Sequence, residues 1–166
     1  MKKKYLLGAV TAATFACANI SLAQCVQNAG TLTGANTGNA INFDTCTATD
    51  QLATNCSGLN PIGSAVDAIW QVQIGPGANS GSFNLTTSNA AYDMYVGLMS
   101  GTCSAASPCP LEADSNGAGG AETLGPIDSL ADGTYFMIVT TFGAGCGPVS
   151  FTVPPLPVTL QGFTVE

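Results

Sequence analysis

The sequence predicts an all-β fold: a disulfide-stapled antiparallel β-sandwich, jelly-roll or Ig-like, preceded by a cleaved N-terminal leader. Three observations point that way. From Val66 onward, short runs alternate apolar and polar residues with period two, separated by Gly, Pro, Asn and Asp. No segment after residue 23 holds a helical period of useful length. Six cysteines remain beyond the leader, an even number suited to bridges formed in an oxidising compartment.

The leader comes first. Lys2, Lys3 and Lys4 form a basic region, an apolar run extends from Tyr5 to Ala18, and Ser21-Leu22-Ala23 gives the small-x-small pattern of a signal-peptidase site before Gln24. Residues 1–23 are therefore expected to be a signal peptide. A lipoprotein acylated on Cys25 is the alternative, but Gln24 is bulky and polar where a small residue is expected. No later stretch approaches the ~20 apolar residues of a membrane-spanning helix, so no transmembrane segment is expected. Cleavage leaves 143 of the 166 residues, one domain's worth. The sandwich is assigned to residues 24–153, and 154–166 to a Pro-rich hinge and a terminal strand.

Residues 24 to 64, rich in Asn, Thr, Gly and Ala, read as loops with one or two short strands, of which Ala40 to Phe43 is the apolar piece. The first clear strand puts Val66, Ala68, Trp70, Val72 and Ile74 on one face and Asp67, Gln71 and Gln73 on the other. Gly75-Pro76-Gly77 breaks it. Phe83, Leu85 and Thr87 begin a second alternation, and Met94, Val96 and Leu98 a third. Leu111 with Ala113 marks a brief strand before the turn at Asn116 to Gly120, and Leu124 to Leu130 is read as another. Thr134 to Phe142 is apolar on both faces, as in a strand covered on both sides. Val149, Phe151 and Val153 alternate once more. Pro154, Pro155 and Pro157 then stiffen the chain into a spacer, and Val158, Leu160, Phe163 and Val165 form a final strand with a bulge at Gly162.

Charge excludes more than it assigns. Cleavage removes Lys2, Lys3 and Lys4, taking the formal charge from −7 to −10 and leaving no Lys, Arg or His. Nucleic acids are excluded as partners, since phosphate binding rests on cations, and anionic lipid surfaces are repelled. The expected partners are an extracellular protein, a glycan or further copies of the chain. The expected location is secreted or at the surface of a bacterium, with the periplasm as an alternative.

Cys103 and Cys109 flank a five-residue loop, Ser-Ala-Ala-Ser-Pro, whose ends could close on each other. Cys46 with Cys56, and Cys25 with Cys146, complete the expected set. No CxxC pair and no His supports zinc.

Asp67-Ala68-Ile69-Trp70-Gln71-Val72, Tyr92-Asp93-Met94-Tyr95-Val96 before a Cys-bearing loop, Asp114, and Leu130-Ala131-Asp132-Gly133-Thr134-Tyr135-Phe136-Met137-Ile138-Val139 together resemble the bacterial pre-peptidase C-terminal domain family over residues 67–153. The resemblance implies a β-sandwich and a non-catalytic accessory module for substrate binding, secretion or surface attachment, in some members with calcium. Where the family pattern often carries paired acidic residues, this chain has Asp114 followed by Ser115.

Without His, Lys or Arg, the usual nucleophile and base pairs cannot be assembled. Carboxylate-only glycoside hydrolysis would draw on Asp93, Glu112, Asp114 and Glu122, but Trp70 falls in the core phase rather than forming a sugar platform. Glu112, Asp114 and Asn116 alternate in a Gly-rich loop and are the calcium candidates, against the reading of a solvated turn. The expected function is a secreted, non-enzymatic module for binding or surface attachment. The alternative is a structural subunit assembling into a fibre or layer through its terminal strand.

Overall fold

The computed structural model describes residues 25–52, 56, 65–76, 80–104, 107–143 and 145–157. The expected leader and the terminal-strand candidates Val158, Leu160, Phe163 and Val165 lie outside them. Among the described residues nine strands form: β1 (Gly30–Leu32), β2 (Ala40–Asp44), β3 (Ala68–Ile74), β4 (Phe83–Thr87), β5 (Met94–Ser100), β6 (Leu111–Ala113), β7 (Glu122–Leu124), β8 (Gly133–Thr141) and β9 (Pro148–Thr152). They assemble as a five-stranded sheet, β1-β3-β8-β5-β6, and a four-stranded sheet, β2-β9-β4-β7. Every pairing is antiparallel except β1 with β3, which is parallel.

The sheets bury one core between them. Trp70 and Val72 of β3, Val96 and Leu98 of β5, and Met137 and Val139 of β8 meet Phe83, Leu85, Leu124, Val149 and Phe151 from the other sheet. Trp70 stands edge-on to Phe43 at 5.2 Å and to Phe151 at 5.4 Å, the arrangement that the ring quadrupoles favour. Each such fully buried side chain contributes about 1.5–3 kcal/mol by leaving water.

The alternation of the larger sheet's central strands is less clean, because its outer face is covered too. Ile69, Met99 and Ile138 form a second buried cluster there, with Leu52 and Cys103. Asp67, expected on an exposed face, is only 1% exposed as a result. β8 is apolar on both faces, as the sequence predicts. Two elements depart from expectation. β7 lies at Glu122–Leu124, and the chain from Gly125 to Leu130 leaves the sheet, since Pro126 has no N–H for the ladder. Ile127 still enters the core, fully buried, its N–H bonded to Gly81 O at 3.0 Å. β1 exposes Gly30 and Thr31 and buries Leu32 alone, so the sequence carries no alternation to reveal it.

All six cysteines among the described residues are oxidised, but each expected pairing is corrected: the bridges are Cys25–Cys103, Cys46–Cys146 and Cys56–Cys109. Cys103 and Cys109 sit at the outer face of the larger sheet, where each meets a different incoming segment. The N–H of Cys25 bonds to Cys103 O at 2.9 Å, while Cys56 lies over Gly97. Cys46 and Cys146 follow from register: β2 and β9 pair with Ala40 opposite Thr152 and Asp44 opposite Pro148, which sets positions 46 and 146 side by side just beyond the ladder.

The Pro-rich stretch is held on the body through Pro157 rather than standing off as a spacer. Val153 pairs its N–H with Asn39 O and its carbonyl with Gly38 N, at 3.0 and 2.9 Å. Leu156 is buried, and its N–H reaches Thr37 Oγ1 at 3.0 Å.

Candidate functional site

Of the calcium candidates, Glu112 lies on β6 and Asp114 just beyond it, both exposed, and Asn116 sits in the following turn. The turn is organised by a residue from β7. Buried Glu122 accepts Ser115 N–H at 3.0 Å and Ser115 Oγ–H at 3.2 Å on Oε2, and Asn116 N–H at 2.8 Å on Oε1. Asn116 turns its own amide Nδ2 to Ala121 O and Ser115 Oγ. The loop thus has an internal anion doing the ordering that a bound cation would do in a calcium loop. Among the described residues, no group of three or more His, Cys, Asp or Glu side chains could hold a metal ion. Asp114 is raised above the ordinary carboxylate value, by desolvation first and then by the charges of Glu122 and Asp93.

Asp67 and Asp44 also serve structure. Asp67 Oδ2 accepts the N–H groups of Gln51 and Leu52 at 2.7 and 2.8 Å, and burial raises its pKa despite those bonds. Asp44 Oδ1 accepts Cys46 N–H at 3.0 Å and caps a short 3-10 turn. Burial pushes the Tyr92 phenol up to about 12, and its hydroxyl donates to Thr140 O at 3.3 Å. Tyr95 is raised by burial and then by Glu112.

The outer face of the four-stranded sheet has a different chemistry. Strand alternation turns Asn42, Ser150 and Thr86 outward in one row, set by the pairings Asn42 with Ser150 and Thr86 with Ser150. Thr152 beside Ala40, and Asn84 beside Thr123, make the next row. Ser150 Oγ donates to Asn42 Oδ1 at 2.7 Å and Thr123 Oγ1 to Asn84 Oδ1 at 3.0 Å. These bonds fix the planes of both amides and leave their Nδ2 groups without partners among the described residues. Sequence reasoning passed over these positions because polar members of an alternation read as an ordinary solvated face. The signal available was the absence of charge at them.

No family model matches the chain, and no curated protein matches it. Among solved structures it is similar to the pre-peptidase C-terminal domain of collagenase from Bacillus anthracis, with a TM-score of 0.42 and 10% identity, covering 78% of this chain and 97% of that one. That domain is of the family which the sequence motifs resemble. Fold and cysteines together define a disulfide-stapled β-sandwich, of the kind that matures outside a reducing cytoplasm. No helix among the described residues is long and apolar enough to cross a membrane.

Proposed function

We propose that this chain is an exported, non-enzymatic β-sandwich module that binds or attaches to material at or beyond the bacterial surface. The observation that carries this reading is the division of labour among polar groups. The two buried carboxylates, Glu122 and Asp67, are committed to backbone N–H groups, while a band across the outer face of the four-stranded sheet, beside Asp44, presents ordered neutral donors and acceptors on a bridged body. Glycoside hydrolysis needs two carboxyl groups free to exchange protons; Glu122 is committed to the turn at Ser115 and Asn116, and a pair drawn from Asp93, Glu112 and Asp114 is tested by the polysaccharide panel.

Depletion of the purified mature protein from solution by cells of its source tests the reading. Saturable removal, without release of reducing sugar from a polysaccharide panel, is the expected result; no removal at any cell density would overturn it. The fibre alternative is tested by negative-stain images of secreted protein, with and without residues 158–166. The deletion must spare 154–157, which are part of the folded body.

A further inference from the structure

We infer that the outer face of the four-stranded sheet is a docking surface for an uncharged polysaccharide chain, an inference that rests on the binding-module reading and assigns it a face and a ligand class. Shape is the first argument. A shallow depression of about 270 Å³ crosses β2, β9 and β4 on this face. A second, of about 400 Å³, continues past the strand ends over Gly38, Gly81 and Pro154. Both are lined by Asn84 and Thr152, so the two adjoin at that pair, and an occupant that fills both is extended rather than compact.

Charge decides the class of polymer. The chain has ten carboxylates and no cation beyond Lys4, yet no charged side chain lines either depression. An anionic polymer would be repelled by the molecule's overall field, and a cationic one would be drawn to the Asp93, Asp114 and Glu122 corner instead. What suits the face is a partner with neutral hydroxyls that both donate and accept. The unpartnered amide Nδ2 groups of Asn42 and Asn84 offer donors, and the hydroxyls of Thr86 and Thr152 offer both. Asn84 and Thr86 stand about 6.8 Å apart along β4, and Asn42 lies across β9 from Thr86, two strand spacings or about 9.6 Å away.

A protein partner fits less well. Protein interfaces are anchored by buried aromatic or Arg side chains, and the large hydrophobic exposed among the described residues is Val26, which bonds Gln51 on the N-terminal segment, away from this sheet. Without an aromatic platform each sugar contact is weak, so retention depends on many contacts along a polymer.

Native gel electrophoresis through dextran, xyloglucan or galactomannan, with alginate as the anionic control, tests the inference. At least one neutral polymer should retard the protein at least twofold more than alginate does. Asn84→Ala combined with Thr152→Val, which removes an amide and a hydroxyl at exposed positions, should abolish the retardation. Glu112→Gln on the other sheet should leave it intact, and circular dichroism should report all variants folded. Thr86→Val alone is the second variant, expected to reduce retardation in part. Absence of retardation by all three polymers, or retardation unchanged in the double variant, overturns the inference. Cell depletion separates it from the broader reading: a double variant that still binds cells as the wild type does sinks the face but not the module, and a wild type that binds no cells sinks both. Binding lost after protease treatment of the cells but not after periodate would make the partner a protein and overturn the ligand class.

Discussion

Asp67 couples solvent pH to the stability of the sandwich. Its carboxyl is buried beneath the segment it tethers through Gln51 and Leu52, and desolvation raises its pKa above the ordinary 3.8. The folded state therefore holds the proton more tightly than the unfolded chain. The resulting stabilisation is fully present below the unfolded value and is lost as pH rises through the folded one. The melting temperature should fall over that window, and Asp67→Asn, which keeps an acceptor oxygen but cannot ionise, should flatten the slope; an equally steep profile in the variant would refute the assignment. Asp114 shifts in the same direction. Glu122 acts differently, as the acceptor for two backbone N–H groups and a hydroxyl. Glu122→Ala should cost about 1–3 kcal/mol in urea unfolding, because those donors lose their partner in a partly buried turn.

At the scale of elements, the crossing of Gly97 by the Cys56–Cys109 bridge leaves no room for a side chain. A Cβ on Gly97 would stand 2.5 Å from Cys56 Sγ and 3.3 Å from Ile138 Cγ2. Gly97→Ala should destabilise the fold by about 1–3 kcal/mol through overpacking, and the penalty measured by thermal unfolding should shrink in a Cys56→Ala, Cys109→Ala background. Strands were legible where one face met the core and the other met water: Phe83 and Leu85 alternate with exposed Asn84 and Thr86 as their sequence demands. β1 was not, since its place is dictated by β3 from forty residues away rather than by its own pattern. The bridges were illegible for a related reason. A short loop between Cys103 and Cys109 is cheap to close, but partner choice depends on which segments cross the outer face, and Cys46 finds Cys146 only once β2 is known to pair with β9. The candidate surface hid in plain view, because a residue pattern shows that Asn42 or Thr152 points outward and not that the two share a groove.

Over the whole molecule, the bridges close loops of 78, 100 and 53 residues. Loops of that length correspond to roughly 4–5 kcal/mol each in the chain-entropy description. Reduction should lower the melting temperature by tens of degrees, and a reduced protein melting where the oxidised one does would contradict a stabilising role. The same chain has no Lys or Arg after Lys4. Trypsin should produce no internal fragments even from the reduced, unfolded protein, while a protease that cuts at aromatic residues should degrade it freely; defined tryptic bands would refute this.

The linking of Cys46 to Cys146 also sets how the molecule answers to force. Under tension between its N-terminal end and Pro157, the chain has a covalent short cut from Cys25 along to Cys46, through sulfur to Cys146, and out. That route holds about 34 residues, about 120 Å when taut at ~3.5 Å per residue, against about four times that for the unbridged span. A tether built this way pays out little slack before the load reaches bonds that thermal motion cannot break, and most of the sheet core, shunted by that bond, never carries the strain.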